Sequence, residues 1–278
     1  MRWTPGGRSP NLEDRRSAGG GMGGKGLGIG GTVVVLALSL IFGRNLFTDL
    51  GVEPGVGAAS APMTAADSAA EETEVQFITF VLDDVQSTWS KVFAQYGRGS
   101  RYRPATLVLF RNSTDSGCGS AQSVMGPFYC PVDEKVYLDL GFFDELKQRY
   151  RASGDFAQAY VLSHELGHHV QRLLGDDARV RQMQEADPSA ANQLSVRLEL
   201  QADCYAGVWA HSTQGRLLEQ GDVDEALTAA SAVGDDRIQQ RTTGRINVDS
   251  FTHGSAAQRA QWFKRGFESG DPKSCTTL

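Results

Sequence analysis

The sequence predicts an α+β fold, mainly helical with a small β-sheet and preceded by one transmembrane helix. Apolar residues recur at helical spacing over most of the chain after residue 74. Two short stretches before residue 141 are instead typical of strands, and one apolar run lies near the N-terminus. Hydrophobic residues make up 40% of the chain and charged residues 22%, as in ordinary globular proteins.

The N-terminal part predicts a membrane anchor. Residues 1–26 are rich in Gly, Arg and Ser, and we expect a disordered cytoplasmic segment there. Residues 27–47 contain one charge, Arg44, which can snorkel, so the run is long enough for a transmembrane helix. Positive charges precede this run, which predicts a cytoplasmic N-terminus and a periplasmic or extracellular position for the remainder.

A cleaved signal peptide is the alternative interpretation of the apolar run. Ala59-Ser60-Ala61 resembles a small-residue cleavage site, but it lies far beyond the run, whereas such cleavage normally follows closely. Residues 48–73 are small and polar and predict a flexible linker. Residues 74–278 then form the folded domain.

The folded domain is expected to begin with a helix over 74–97, which ends at Gly97. Residues 105–110 and 135–139 predict two strands, separated by a Ser/Gly-rich loop. Further helical patterns follow at 141–152, 155–174, 190–211, 222–233 and 255–269.

A metal-binding motif lies inside the predicted helix 155–174. His164 and His168 are four residues apart, so they share one helix face and can chelate one ion. Glu165 beside them can act as a general base toward a water molecule. Gly167 is expected to remove bulk next to the ion.

A third ligand is needed, because catalytic zinc usually has three protein ligands and one open position. Glu199 and Asp203 are four apart in a later predicted helix. We expect Glu199 to bind the ion and Asp203 to hold a ligand histidine through its other ring nitrogen. Alternatively, Glu199 and Asp203 are a solvated acidic pair on the surface. In that case the third ligand would be a cysteine or His253.

These motifs resemble a known family. The Glu-x-x-x-Asp spacing after His-Glu-x-x-His is similar to that of gluzincin metallopeptidases. More closely, the chain resembles the bacterial YpfJ family of neutral zinc metallopeptidases, in the stretches MRWTPGGRSPNLEDRR, GPFYCPVDEKVYLDLGFF, SHELGHHVQ, RLELQADCYAGVWA and DSFTHGSAAQRAQWFKRGF. The resemblance implies a single-pass anchor and a zincin-like metallopeptidase domain with one zinc ion per chain. It also implies the same roles for the five motif residues: His164, His168 and Glu199 as ligands, Glu165 as the base and Asp203 as the orienting carboxylate.

A peptidase also needs a hydrogen-bond donor for the developing oxyanion and a surface for the substrate. His253, Tyr137 and Tyr205 are candidate donors, although His253 can equally be a capping residue before the helix that starts near Ser255. The strand Lys135–Leu140 is a candidate edge for pairing with substrate backbone, or an ordinary edge strand.

Four cysteines are typical of an oxidising compartment. Cys118 and Cys130 bracket a short loop and are the natural local pair, which leaves Cys204 to pair with Cys275. Free buried thiols are the alternative.

The expected function is hydrolysis of peptide bonds in a peptide or protein by a membrane-anchored zinc enzyme. The alternatives are a catalytically silent zinc-binding module tethered to the bilayer, and a zinc hydrolase of a non-peptide amide. A net charge of -6, with no basic run interleaved with aromatic residues, argues against nucleic-acid binding.

Overall fold

The computed structural model describes residues 1–16, 71–148, 152 and 154–278. The predicted transmembrane segment 27–47 and nearly all of the predicted linker 48–73 lie outside these residues. Within the described part of the chain, no helix is both long and apolar enough to cross a bilayer.

The fold is mainly helical α+β with a small sheet, as predicted. Its helices are α1 Glu72–Gln95, α2 Gly141–Gln148, α3 Asp155–Leu174, α4 Asp176–Ala186, α5 Ala191–Ser212, α6 Asp222–Ala232, α7 Asp235–Thr243 and α8 Ala256–Ser269. Its strands are β1 Leu12–Asp14, β2 Thr106–Phe110, β3 Ser113–Ser116, β4 Gly119–Gln122, β5 Phe128–Cys130 and β6 Lys135–Asp139.

The main sheet has the strand order β1-β2-β6-β5. Strands β1, β2 and β6 are parallel, and β5 is antiparallel to β6. The predicted edge at Lys135–Leu140 is therefore wrong, because β6 is paired on both sides. Strand β5, which lies in the region predicted as a loop, is an edge of the described sheet.

The prediction of disorder over residues 1–26 is wrong for residues 1–16. This segment supplies β1, whose Leu12 pairs with Leu107 of β2. Arg16 is buried, and the Trp3 ring packs against the Phe77 ring of α1 with centroids 5.3 Å apart. The segment was missed because its hydrogen-bonding partners lie far away in the sequence.

Glycines allow the helices around the core to approach closely. A Cβ atom at Gly167 of α3 would lie 3.0 Å from the carbonyl oxygen of Ala202 in α5. Gly167 thus permits a helix contact, in place of the predicted role beside the ion. Between α5 and α8 the approach is closer still, since a Cβ atom at Gly207 or Gly266 would overlap backbone atoms of the opposite helix.

Both predicted disulfides are confirmed. Cys118 is bonded to Cys130, which joins the β3–β4 connection to β5. Cys204 is bonded to Cys275, which holds the C-terminal segment against α5.

Candidate metal centre

Helices α3 and α5 bring the predicted ligands together at the wall of a cleft of about 640 Å³. His164, His168 and Glu199 each offer a ligand atom, and these atoms lie within 4.8 Å of one another. The two histidines are one helical turn apart on α3, as their spacing requires. Close approach of α5 at Gly167 places Glu199 opposite both.

His164 is oriented by a buried carboxylate. Its Nδ1 atom lies 2.8 Å from Oδ1 of Asp203, which is 0% exposed. An ionised carboxylate only accepts hydrogen bonds, so Nδ1 is the donor. The other ring nitrogen, Nε2, then faces Glu199 Oε2 at 3.2 Å.

His168 is oriented by a neutral amide. The Nε2 atom of Gln171 donates to the carbonyl oxygen of Leu198 at 2.7 Å and to Gln201 Oε1 at 2.9 Å. This fixes Gln171 Oε1 as the acceptor for His168 Nδ1 at 2.8 Å. The Nε2 atom of His168 therefore faces Glu199 Oε1 at 3.5 Å.

The spacing of these donor atoms fits zinc. With bonds of roughly 2.0–2.1 Å to His and carboxylate ligands, the edges of a zinc tetrahedron are about 3.3–3.4 Å long. The Glu199 carboxylate faces both histidine nitrogens at comparable distances, with Oε2 3.2 Å from His164 Nε2 and Oε1 3.5 Å from His168 Nε2. The alternative third ligands are disfavoured: the four cysteines form disulfides, and His253 is not among the described residues whose ligand atoms cluster within 4.8 Å, which are His164, His168 and Glu199.

A buried network around Asp203 was missed in the sequence. Arg259 of α8 donates from Nε to Asp203 Oδ2 at 2.9 Å and from Nη2 to Oδ1 at 3.0 Å. The hydroxyl of Tyr160 donates to Oδ1 at 2.5 Å. A signal was present, since Arg259 shares the buried face of α8 with Ala256 and Phe263, and an arginine within an apolar stripe is unusual.

The network sets the charges at the site. Burial raises the pKa of the Asp203 carboxyl, but Arg259 and His164 outweigh burial and hold that pKa below its usual value. Burial likewise raises the pKa of Glu199, and the positive charge of His168, His253 and His164 holds it well below the usual range. Both carboxylates are therefore anionic and suited to a cation and its histidine ligands.

Glu165 and His253 line the same cleft as the candidate ligands. The backbone N–H of His253 donates to Asp235 Oδ2 at 2.7 Å, and Nδ1 of the ring lies 3.4 Å from Oδ1 of the same carboxylate. His253 thus takes its orientation from the start of α7, while its side chain remains 45% exposed. Burial lowers the pKa of His253, but the charges of Glu199 and Asp235 raise it overall.

The two tyrosines proposed as oxyanion donors lie elsewhere, so that prediction is wrong for both. Tyr137 is buried in β6 and donates its hydroxyl to Asp133 at 2.6 Å. Tyr205 is buried in the core, with its ring 5.0 Å from that of Trp89. Tyr205 points away from the ligand face of α5 because it is two residues beyond Asp203 on the helix.

Comparison with known proteins agrees with this geometry. The sequence matches the family described as "Putative neutral zinc metallopeptidase" over residues 1–278. It is 47% identical over 286 residues to "Uncharacterized protein YpfJ" of Escherichia coli K12, which covers 100% of this chain and 99% of that protein. It is 42% identical over 255 residues to "Uncharacterized protein Rv2575" of Mycobacterium tuberculosis, which covers 82% of this chain and 84% of that protein. No solved structure matches.

Proposed function

The chain belongs to this family of neutral zinc metallopeptidases, and from that membership we propose that it hydrolyses peptide bonds in a zinc-dependent reaction. One observation carries the proposal. The Nε2 atoms of His164 and His168 converge on the Glu199 carboxylate, at 3.2 Å from Oε2 and 3.5 Å from Oε1 respectively, and Glu165 lines the same cleft. A structural zinc site would close its coordination sphere with four protein ligands, whereas three ligands and an adjacent carboxylate suit catalysis.

Each residue of the site has a separate role in the proposed reaction. His164, His168 and Glu199 would hold one zinc ion, which when bound supplies Lewis-acid activation of the water and of the scissile carbonyl. Glu165 takes the proton from the attacking water and delivers it to the leaving amine. His253, oriented by Asp235, donates a hydrogen bond to the developing oxyanion.

A peptide substrate fits the edge of the sheet beside the metal centre. Phe128 and Tyr129 of β5 line the cleft. Strand β5 pairs with β6 on one side, and its other side is an edge of the described sheet. An extended peptide can add to such an edge through backbone hydrogen bonds, which recognise the chain largely independently of its side chains.

We further propose that the domain lies in an oxidising compartment and that the chain is attached to a membrane. The disulfides Cys118–Cys130 and Cys204–Cys275 support an oxidising compartment, periplasmic or extracellular, for the domain. Attachment to a bilayer through residues 27–47 rests on the sequence alone.

Replacement of the proposed base tests the function. We expect purified Glu165→Gln to retain one zinc ion per chain and to lose at least about 100-fold in the rate of peptide cleavage, because it cannot accept a proton. Cleavage of a proteome-derived peptide library and metal content by atomic absorption are the measurements. Glu185→Gln, at an exposed position of α4, is the matched control and should cleave like the wild type.

Equal cleavage by wild type and Glu165→Gln would contradict the proposed mechanism. A zinc-loaded wild type that cleaves no peptide would favour a silent binding module. Hydrolysis of a cell-wall amide that depends on Glu165, without peptide cleavage, would favour a hydrolase of non-peptide amides.

A further inference from the structure

Residues 1–16 are built into the domain through the backbone of β1. The N–H of Arg15 donates to the carbonyl oxygen of Leu109 at 2.7 Å, and the N–H of Leu107 donates to that of Asn11 at 2.8 Å. Leu107 and Leu109 are both 0% exposed. Strand β1 therefore covers one side of β2, which would otherwise be an open edge of a parallel sheet.

Side chains fix the segment on both sides of β1. The hydroxyl of Ser9 donates to Asp83 Oδ1 of α1 at 2.6 Å. Arg16, 3% exposed, donates to Glu71 Oε2 and to Asp14 Oδ2, both at 2.8 Å. A buried guanidinium is stable only beside such carboxylates. The contact with Glu71 therefore holds Arg16, and with it the N-terminal segment, against the start of α1.

The first residues add two more contacts with separate helices. Trp3 packs edge-on against Phe77 of α1, with ring centroids 5.3 Å apart. The α-ammonium group of Met1 donates to Asp155 Oδ1, at the start of α3, at 2.6 Å. The segment is thus held along its whole described length.

The docked segment restricts how the chain can meet a membrane. Hydrogen bonds between β1 and β2 cannot form across a hydrocarbon core of about 30 Å. Between Arg16 and Glu71 the sequence contains one apolar run, residues 27–47, which has the length for about one crossing. A single crossing would place β1 and β2 on opposite faces, and a second crossing would need about 20 more apolar residues.

We propose that residues 1–16 lie on the same face of the membrane as the metallopeptidase domain. This replaces the cytoplasmic N-terminus expected from the charge pattern. Two of the arginines behind that expectation are engaged by the domain, since Arg8 pairs with Glu72 and Arg16 with Glu71, both at 2.8 Å.

Cysteine labelling of the full-length chain tests the proposal. Gly6→Cys places a thiol at an exposed position where a Cβ atom meets nothing within 4 Å, and Glu185→Cys places one on exposed α4. A membrane-impermeant maleimide is added to spheroplasts before and after lysis. For each variant we compare the labelling before lysis with the labelling after lysis. We expect this ratio to agree within about twofold between the two variants. Protection of one thiol and labelling of the other before lysis would overturn the proposal.

A stability measurement tests the docking on which the proposal depends. Arg16→Ala removes the buried guanidinium that bridges Asp14 and Glu71, so we expect the Tm of the full-length protein to fall by about 5 °C or more. Arg8→Ala is the matched control at a 49% exposed arginine, and it should change Tm far less. An unchanged Tm in Arg16→Ala would show that β1 is not part of the domain and would remove the basis of the proposal.

Discussion

The Nδ1 atom of His164 lies 2.8 Å from Oδ1 of Asp203, and the guanidinium of Arg259 holds the same carboxylate from the other side. The partner of His168 is instead the neutral amide of Gln171. The Nδ1 atoms of the two histidines therefore contact groups of different charge, an anionic carboxylate at His164 and a neutral amide at His168. A carboxylate makes its histidine the more basic ligand, and an amide fixes orientation with less effect on basicity.

Loss of the amide should weaken zinc binding. Gln171→Leu removes the acceptor for His168 Nδ1, so the ring can rotate and change tautomer. We expect the Kd for zinc to rise about 10-fold to 100-fold, measured by competition with a chromophoric chelator. Gln182→Leu, at an exposed position of α4, should leave the Kd unchanged. Equal zinc affinity in the wild type, Gln171→Leu and Gln182→Leu would show that Gln171 does not position His168.

Loss of Arg259 should destabilise the fold before any metal is added. Arg259→Met leaves the Asp203 carboxylate buried with one charged partner fewer. Breaking a buried pair costs about 3–5 kcal/mol, so we expect a loss of that size in the free energy of unfolding in urea. Lys264→Met removes an exposed charge from the same helix and should cost less than about 0.5 kcal/mol. A loss below about 1 kcal/mol in Arg259→Met would contradict this role.

Zinc binding should release a proton. In the metal-free protein burial lowers the pKa of His164, but Asp203 and Glu199 outweigh burial and raise it from 6.5 to about 10. A proton then occupies the imidazole at neutral pH, and zinc must displace it. We expect the apparent zinc affinity to increase by up to about tenfold per pH unit between about pH 6 and 8. Calorimetry in buffers of different ionisation enthalpy measures the released proton, and a pH-independent affinity would exclude this competition.

The same raised pKa has the opposite effect on the stability of the metal-free protein. Because the folded state binds the proton more tightly, the His164 contribution is fully present below pH 6.5 and is lost as the pH rises toward about 10. The free energy of unfolding of metal-free protein should therefore decrease over the range in which zinc affinity increases.

The contact between α5 and α8 should not tolerate a methyl group. A Cβ atom at Gly266 would overlap the carbonyl group of Cys204, and both helices would have to move apart. Overpacking of this kind typically costs about 1–3 kcal/mol, partly offset by the higher helix propensity of alanine, about 1 kcal/mol. We expect Gly266→Ala to lower Tm and to weaken zinc binding, because Arg259 moves with α8. Gly6→Ala, at a position with free space around it, serves as the control.

The two disulfides should differ in their effect on stability. Their sequence separations are 71 residues for Cys204–Cys275 and 12 for Cys118–Cys130. Loop-closure entropy gives about 4 kcal/mol for the longer loop and about 3 kcal/mol for the shorter one. We expect the paired substitution of Cys204 and Cys275 by Ser to lower the unfolding free energy more than that of Cys118 and Cys130. The reverse order, measured in urea, would contradict the estimate.

Two helices were missing from the sequence prediction, for the same physical reason. In α4 the buried residue is Val180, and in α7 it is Asp235. A helix that buries so little apolar surface shows no apolar periodicity. Helix α7 is nevertheless important for the site, because Asp235 orients His253.

The sequence by itself determined the features that depend on local spacing. Two histidines four residues apart share a face of any helix, and Glu199 and Asp203 do so on another, because helix geometry fixes the relation. The tertiary structure alone decided the features that depend on partners distant in the chain. These are the contact of Arg259 with Asp203, the edge position of β5 and the docking of β1 against β2. Such contacts follow from how helices and strands pack: the local pattern can mark Arg259 as a buried residue, but it does not identify the partner.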